Sequence, residues 1–272
     1  MNYNLVPDSC LWIKRFIERM KFVEFEQALM KLPEYKCFRS GFQVIVPDGR
    51  VGHFTPSVDA LGLAQHYGIK TEMMDVTADK WVAAFFACTK YNKTDDTYSP
   101  IVESSTKRGV IYNLPLHAEE FEKIRIVGAQ PFERPTAQAA FMIEMKPEDD
   151  FNAISAEHTF FKQSTIHSLI VYHYVNRCNR MFPHELIQKK TWEMINHEHL
   201  VFSPQTMQEA RNRFKTDMDE SRFQKVMEEI NIDASAVCPM PITEEEQQIT
   251  TEHWLRYDGL WSKIEFWWYQ FL

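Results

Sequence analysis

Glycine is scarce in this chain, with 8 in 272 residues, so each is expected to mark a backbone position that needs it. The five cysteines, Cys10, Cys37, Cys88, Cys178 and Cys238, are scattered and odd in number, and no Cys-x-x-Cys pair occurs. That argues against a disulfide framework and for a reduced, cytoplasmic setting. No apolar run approaches the roughly 20 residues of a membrane helix. The opening Met1-Asn2-Tyr3-Asn4 lacks the basic and apolar regions of a signal peptide. Neither a P-loop nor a Gly-x-Gly-x-x-Gly dinucleotide fingerprint is present, and there is no Gly-x-Ser-x-Gly nucleophile elbow. His197-Glu198-His199 tempts a metal reading, but histidines two apart on a helix do not share a face, so no metal site is expected there. Positive charge is also short: 30 Lys and Arg against 38 Asp and Glu leave a net charge of −8. Broad binding to nucleic acid or anionic membrane is thereby disfavoured, although a local basic pocket stays open.

Apolar and aromatic residues are abundant, at 44% and 14% of the chain. They suffice for one large domain, or a core with an appendage. Apolar periodicity predicts a helix over 9–31, capped by Ser9 and ended by Pro33. Residues 37–46 read as a strand and Pro47-Asp48-Gly49-Arg50 as a turn. A short helix is expected over 58–66, with Gly68 as its stop. Residues 73–76 read as a short strand or extended link. A helix over 79–91 follows, with a nearly all-apolar body from Trp81 to Ala87 and with Asp75 or Thr77 as its N-cap. Residues 91–108 read as a polar surface loop and 109–114 as a strand. Residues 134–138 read as a loop entering a strand over 139–145, and 169–174 as a further strand.

After Pro183 the texture becomes charged and helical, over 183–196, 204–214 and 218–230. A proline-containing link over 236–245 leads to a closing Trp-rich segment with Trp254, Trp261, Trp267 and Trp268, read as core more readily than as a docking surface. The fold class expected is α+β, a mixed, mostly antiparallel sheet with packed helices. Its core would span 1–180, with a helical extension over 181–272 that is a candidate surface for a protein partner.

Several polar residues suit ligand chemistry, and each has a plain structural alternative. Arg39 offers a planar five-donor fork for phosphate or carboxylate, or an ion pair with an acid such as Asp75. His66 can exchange a proton near neutral pH, or simply hydrogen-bond the backbone. Tyr67 can stack on a planar ring, or pack in the core. Asp75 and Thr77 stand before a helix whose N-terminus favours anions, or act as caps. Arg134 and Gln138 stand four apart before a strand. Gln138 can present its amide to a ribose or a base, or satisfy loop backbone. Cys88, inside the apolar helix, reads as a small buried thiol.

Phe38-Arg39, Gln65-His66-Tyr67-Gly68, Thr71, Asp75, Thr77 and Ala83 to Ala87 together resemble the FRG domain, a family named for a Phe-Arg-Gly motif. Arg134 and Gln138 resemble the later Arg and Gln of the same pattern. Ser40, Lys70, Glu72 and Val76 depart from it, standing where Gly, Pro, Arg and Trp are usual. The order of motifs is also similar, at a distance, to that of ADP-ribosyltransferases. That resemblance implies an ADP-ribosyltransferase-like core, with NAD as cofactor or substrate. Arg39, His66 and Gln138 would then be the catalytic residues, and Arg39, Tyr67, Asp75, Thr77 and Arg134 the NAD-binding ones. The activity implied is ADP-ribose transfer or NAD hydrolysis. The alternative is a module that binds a nucleotide or a protein without chemistry, as in bacterial phage defence or a toxin–antitoxin pair.

Overall fold

The computed structural model describes residues 8–45, 49–54, 58–102, 108–114, 124–127, 131–145, 149–151, 157–176, 180–196, 202–214, 219, 221 and 242–256. In chain order the elements are helices α1 (Asp8–Leu29) and α2 (Pro33–Ser40), strands β1 (Phe42–Ile45) and β2 (Val51–Phe54), and helix α3 (Ala60–His66). Strand β3 (Met73–Thr77), helix α4 (Lys80–Cys88) and strands β4 (Thr89–Asn92), β5 (Thr97–Pro100), β6 (Arg108–Asn113) and β7 (Ile124–Ile126) follow. Next come helix α5 (Glu133–Ala137), strands β8 (Ala140–Glu144) and β9 (Glu157–Lys162), and helices α6 (Thr165–Val175), α7 (Leu186–Asn196), α8 (Pro204–Phe214) and α9 (Glu244–Arg256). Helices and antiparallel strands alternate irregularly, which makes the fold α+β.

The chain forms two compact units. The first joins residues 1–71 to 185–272. Its core is the apolar stripe of α1 laid against α8: Phe16, Met20 and Val23 meet Phe202, Met207 and Ala210. Burying each large apolar side chain contributes about 1.5–3 kcal/mol. Glu24 lies wholly inside this interface and accepts a 2.5 Å hydrogen bond from the Thr206 hydroxyl.

The second unit covers residues 72–184. It holds an antiparallel sheet in the order β3-β8-β7, a β4-β5 hairpin and a β6-β9 pair. Val82 and Phe85 of α4 and Met181 form its main core, against Tyr98, Tyr172, Val175 and Phe182. Val127, Ala140 and Met142 form a smaller one beside Met73.

Several local expectations are corrected. Pro33 opens α2 at its first turn instead of only closing α1, since its fixed φ suits a helix start. Residues 37–40 are therefore helical and the strand is confined to Phe42–Ile45. The polar stretch after Tyr91 is the β4-β5 hairpin, whose turn contains Asp96 at φ 52. Asp is among the few residues that tolerate this left-handed conformation. The short loop before β8 is the helix α5. The apolar run Leu169–Tyr174 belongs to helix α6, capped by Ser164, whose hydroxyl accepts from the His167 N–H at 3.2 Å. A run apolar on every side carries no period to separate strand from helix. The expected features at Met218–Ile230 (apart from Asp219 and Ser221), at His197-Glu198-His199, at Cys178 and Cys238 and at Trp261, Trp267 and Trp268 lie outside the described residues, as does most of the 236–245 link.

Candidate functional site

The candidate residues divide between the two units. Arg39, His66 and Tyr67 belong to the first, and Asp75, Thr77, Arg134 and Gln138 to the second.

In the first unit, Arg39 stands on the last turn of α2 instead of on a strand, with an exposed side chain. The C-terminal turn of a helix favours a cation. One turn earlier, Tyr35 is buried, and its hydroxyl is hydrogen-bonded by the Arg39 guanidinium. Burial and the nearby Glu26 carboxylate raise the Tyr35 pKa above the ordinary phenol value, against the pull of Arg39. The Tyr35 hydroxyl therefore stays neutral, and it accepts from an exposed guanidinium that carries five donors in a planar fork.

Gln65, His66 and Tyr67 close α3. Asp59 caps its start, its carboxylate accepting from the Gly62 N–H at 2.9 Å. Gly68, at φ 96, donates its N–H to the Gln65 carbonyl and turns the chain out of the helix. His66 is half-buried on the last turn. The Gln65 amide oxygen accepts from the Thr71 hydroxyl. Tyr67 is buried, donates its hydroxyl to Glu185 at 2.6 Å and rests against the Phe25 ring. Its phenol is thus engaged within the unit.

In the second unit, β3 lies antiparallel to β8, which puts Asp75 opposite Met142 and Thr77 opposite Ala140. Asp75 is exposed. Neither Asp75 nor Thr77 is the N-cap of α4. That role belongs to Asp79, whose carboxylate accepts from the Trp81 N–H at 2.8 Å. Thr77 instead ties three segments together. Its hydroxyl donates to the Gln138 carbonyl at 2.7 Å and accepts from the Asp79 N–H at 3.0 Å. Gln138 is buried, and its side-chain amide donates to the Met181 carbonyl at 3.1 Å.

Arg134 is buried too. It pairs with Asp96 at 3.6 Å, and its guanidinium lies 5.3 Å from the centre of the Phe182 ring. Tyr98 stacks on the same Phe182 ring, 4.8 Å away at 16°. Tyr91 donates to Asp96 at 2.9 Å. Burial pushes the Tyr98 hydroxyl up to about 12, against Arg134 and with help from Asp96 and Asp75. Burial, followed by the hydrogen bond to Asp96, raises Tyr91 as well. Asp96, Tyr91, Tyr98 and Phe182 were not among the residues singled out from the sequence. The signal that finds them is the Asp95-Asp96 turn, which closes the hairpin and sets both tyrosines on paired strands. Glu144, the last residue of β8, pairs with Arg125 at 3.2 Å. Cys88 is buried, and burial raises its thiol, which leaves little thiolate.

Among the described residues no group of three or more His, Cys, Asp or Glu side chains could hold a metal ion. No described helix is long and apolar enough to cross a membrane.

Compared with known protein families, residues 11–96 match the FRG domain, so the chain carries an FRG domain over that stretch. No curated protein and no solved structure matches the chain. The matched stretch contains Phe38-Arg39, Gln65-His66-Tyr67-Gly68, Asp75 and Thr77, and leaves out Arg134 and Gln138. One departure from the family pattern has a physical use here. The backbone N–H of Lys70 donates to Glu18 at 3.1 Å, a bond that proline has no hydrogen to make. Glu72, where the pattern has Arg, is exposed, and its carbonyl accepts from the Met145 N–H.

Proposed function

We propose that this FRG domain binds a phosphate-bearing, nucleotide-like ligand, NAD being the first candidate, and that Arg39 holds its anionic group. The observation that carries this reading is the exposure of Arg39, the cation of the family motif, beside a Tyr35 hydroxyl that burial keeps neutral. A guanidinium presents a fork that matches phosphate geometry. Within the same reading, His66 contributes from the end of α3, in the same unit as Arg39.

Binding without turnover fits the polar groups better than catalysis. Gln138 and Tyr67 are buried with their hydrogen-bonding groups engaged. Cleaving the bond between nicotinamide and ribose calls for a carboxylate to stabilise the positive charge that develops on the sugar. Glu144, the carboxylate nearest to Gln138 along β8, is exposed and paired with Arg125.

ADP-ribose transfer or NAD hydrolysis, with Arg39, His66 and Gln138 as the catalytic residues, is the second reading. In its favour, the Thr77–Gln138 bond joins two segments that an ADP-ribosyltransferase order assigns to the ribose. Incubating the full chain with NAD and measuring free nicotinamide separates the two. Saturable binding without release is the expected result. Release that disappears in Arg39→Ala would establish the enzymatic reading instead.

A further inference from the structure

Strands β6 and β9 pair antiparallel from Arg108 opposite Lys162 to Asn113 opposite Glu157. Side chains alternate along both strands, so the pair has two faces. On one of them Gly109 is buried, and the Phe161 ring occupies the place where a Cβ would stand. The other face carries three rungs: Arg108 with Lys162, Val110 with Phe160, and Tyr112 with His158. All of these but Val110 are exposed, Phe160 at 60%. Their rings form a row, His158 lying 5.0 Å from Phe160 and 6.1 Å from Tyr112. Glu157, the only acid of the two strands, falls on the opposite face. Like charges set directly across an antiparallel pair repel. Arg108 and Lys162 stand in that way, and neither makes an ion pair among the described residues.

We propose that this face binds single-stranded nucleic acid, with bases stacked on Phe160, His158 and Tyr112 and backbone phosphate held by Arg108 and Lys162. The charge is complementary: a phosphate set between the two cations turns their repulsion into two attractions. The rings supply the rest. Exposed aromatic side chains on neighbouring strands stack unpaired bases, and rungs about 7 Å apart give room for two or three. Cations beside such a row are the combination that single strands select, because every base has a flat face and every phosphate a charge. A duplex keeps its bases stacked inside and offers this face phosphate alone. A bilayer surface is matched by an amphipathic helix with Trp, Phe and Leu along one side, whereas a strand pair with a Tyr, a His and one Phe has little to insert. The net charge of −8 opposes long-range attraction, so the contact is local and of modest affinity. It does not rest on Arg39, which belongs to the other unit.

Fluorescence anisotropy of labelled oligothymidylate and oligouridylate, titrated with the full chain, tests the proposal. Saturable binding is expected to at least one of them, and weaker binding to a duplex of the same length. Neutralising two phosphates of a single strand gives a log–log salt slope of about −1.4, so going from about 50 to about 200 mM salt should weaken binding about sevenfold. Phe160→Leu keeps an apolar side chain but removes the ring, and should weaken binding by about five- to a hundredfold, whereas Phe160→Tyr should retain it. Arg108→Ala combined with Lys162→Ala should weaken binding and flatten the salt dependence. These positions are exposed, and an unchanged circular-dichroism spectrum verifies the fold of each variant; if Phe160→Leu does not fold, the double cation variant decides. Absence of binding to both oligonucleotides overturns the proposal, and so does capture by anionic phospholipid vesicles alone. Binding that persists undiminished in both Phe160→Leu and the double variant, or that Arg39→Ala abolishes while they retain it, overturns it as well.

Discussion

Tyr67 donates its hydroxyl to Glu185 from a site only 4% exposed, across more than a hundred residues of chain. A hydrogen bond to a charged group contributes about 1.5–3 kcal/mol. Tyr67→Phe should therefore lower the stability of the first unit by that amount, read by urea denaturation followed through its helical signal. The residue types that attract a ligand reading are the same ones that fill a core with satisfied polar groups. Tyr67 in its Gln-His-Tyr-Gly block was visible in the sequence, and its partner was not, because Glu185 lies far along the chain. The same holds for Arg134, whose counter-charge Asp96 sits on a hairpin turn that polarity alone reads as a loop. Tyr98 gives a pH test of that cluster. Its native hydroxyl is pushed up to about 12, above the usual value near 10. The native state then holds a proton that the unfolded chain releases. The stability from Tyr98 is full below about pH 10 and is lost as pH rises towards about 12. Absorbance titration at alkaline pH should show Tyr98→Phe removing a late-titrating phenol.

Among the elements, those with a clear start or stop signal were legible. Gly68 ends α3 as its place after the apolar run implies, and its φ of 96 explains why glycine stands there. A Cβ would be strained at that φ and would also meet Ile195 Cδ1 at 3.2 Å. Gly68→Ala should cost about 1–2 kcal/mol from the left-handed conformation alone, measured as a lower urea midpoint at an unchanged slope. Helix α9 opens with a reciprocal cap: the Thr243 N–H donates to Glu246, and the Glu246 N–H donates to the Thr243 hydroxyl. Burial works against the Glu246 charge, but the Thr243 backbone bond and Lys190, 2.9 Å away, outweigh it and hold the carboxyl below its ordinary value. A carboxyl with a depressed pKa stabilises the fold at pH above its unfolded pKa, and this contribution disappears as pH falls through the native one. Glu246→Gln should flatten the acid side of the stability profile, read by thermal melts at stepped pH. Pro33 and α6 were less legible. A proline is equally a stop for the helix before it and a first turn for the helix after it, and only the residues beyond Pro33 decide. Helix α6 has apolar residues on both faces, so its period is hidden.

At the scale of the whole molecule, the first unit is assembled from the two ends of the chain, because α1 finds the partner for its apolar stripe in α8. No local pattern foretells that pairing, whereas the mixture of helices with antiparallel strands and the FRG domain could both be read from the sequence. The family motif was legible because short blocks such as Gln65-His66-Tyr67-Gly68 survive as contiguous text. The division of the candidate residues between two units was not, since it depends on where the chain folds back. What unites these scales is the claim that Arg39 is the anion-holding group of a nucleotide-binding module. Isothermal titration of NAD into the full chain, with Arg39→Ala alongside, tests it most directly. The account predicts saturable heat from the wild type and none from the variant, with both proteins giving the same circular-dichroism spectrum. Equal binding by the two, or no binding by the wild type, would contradict it.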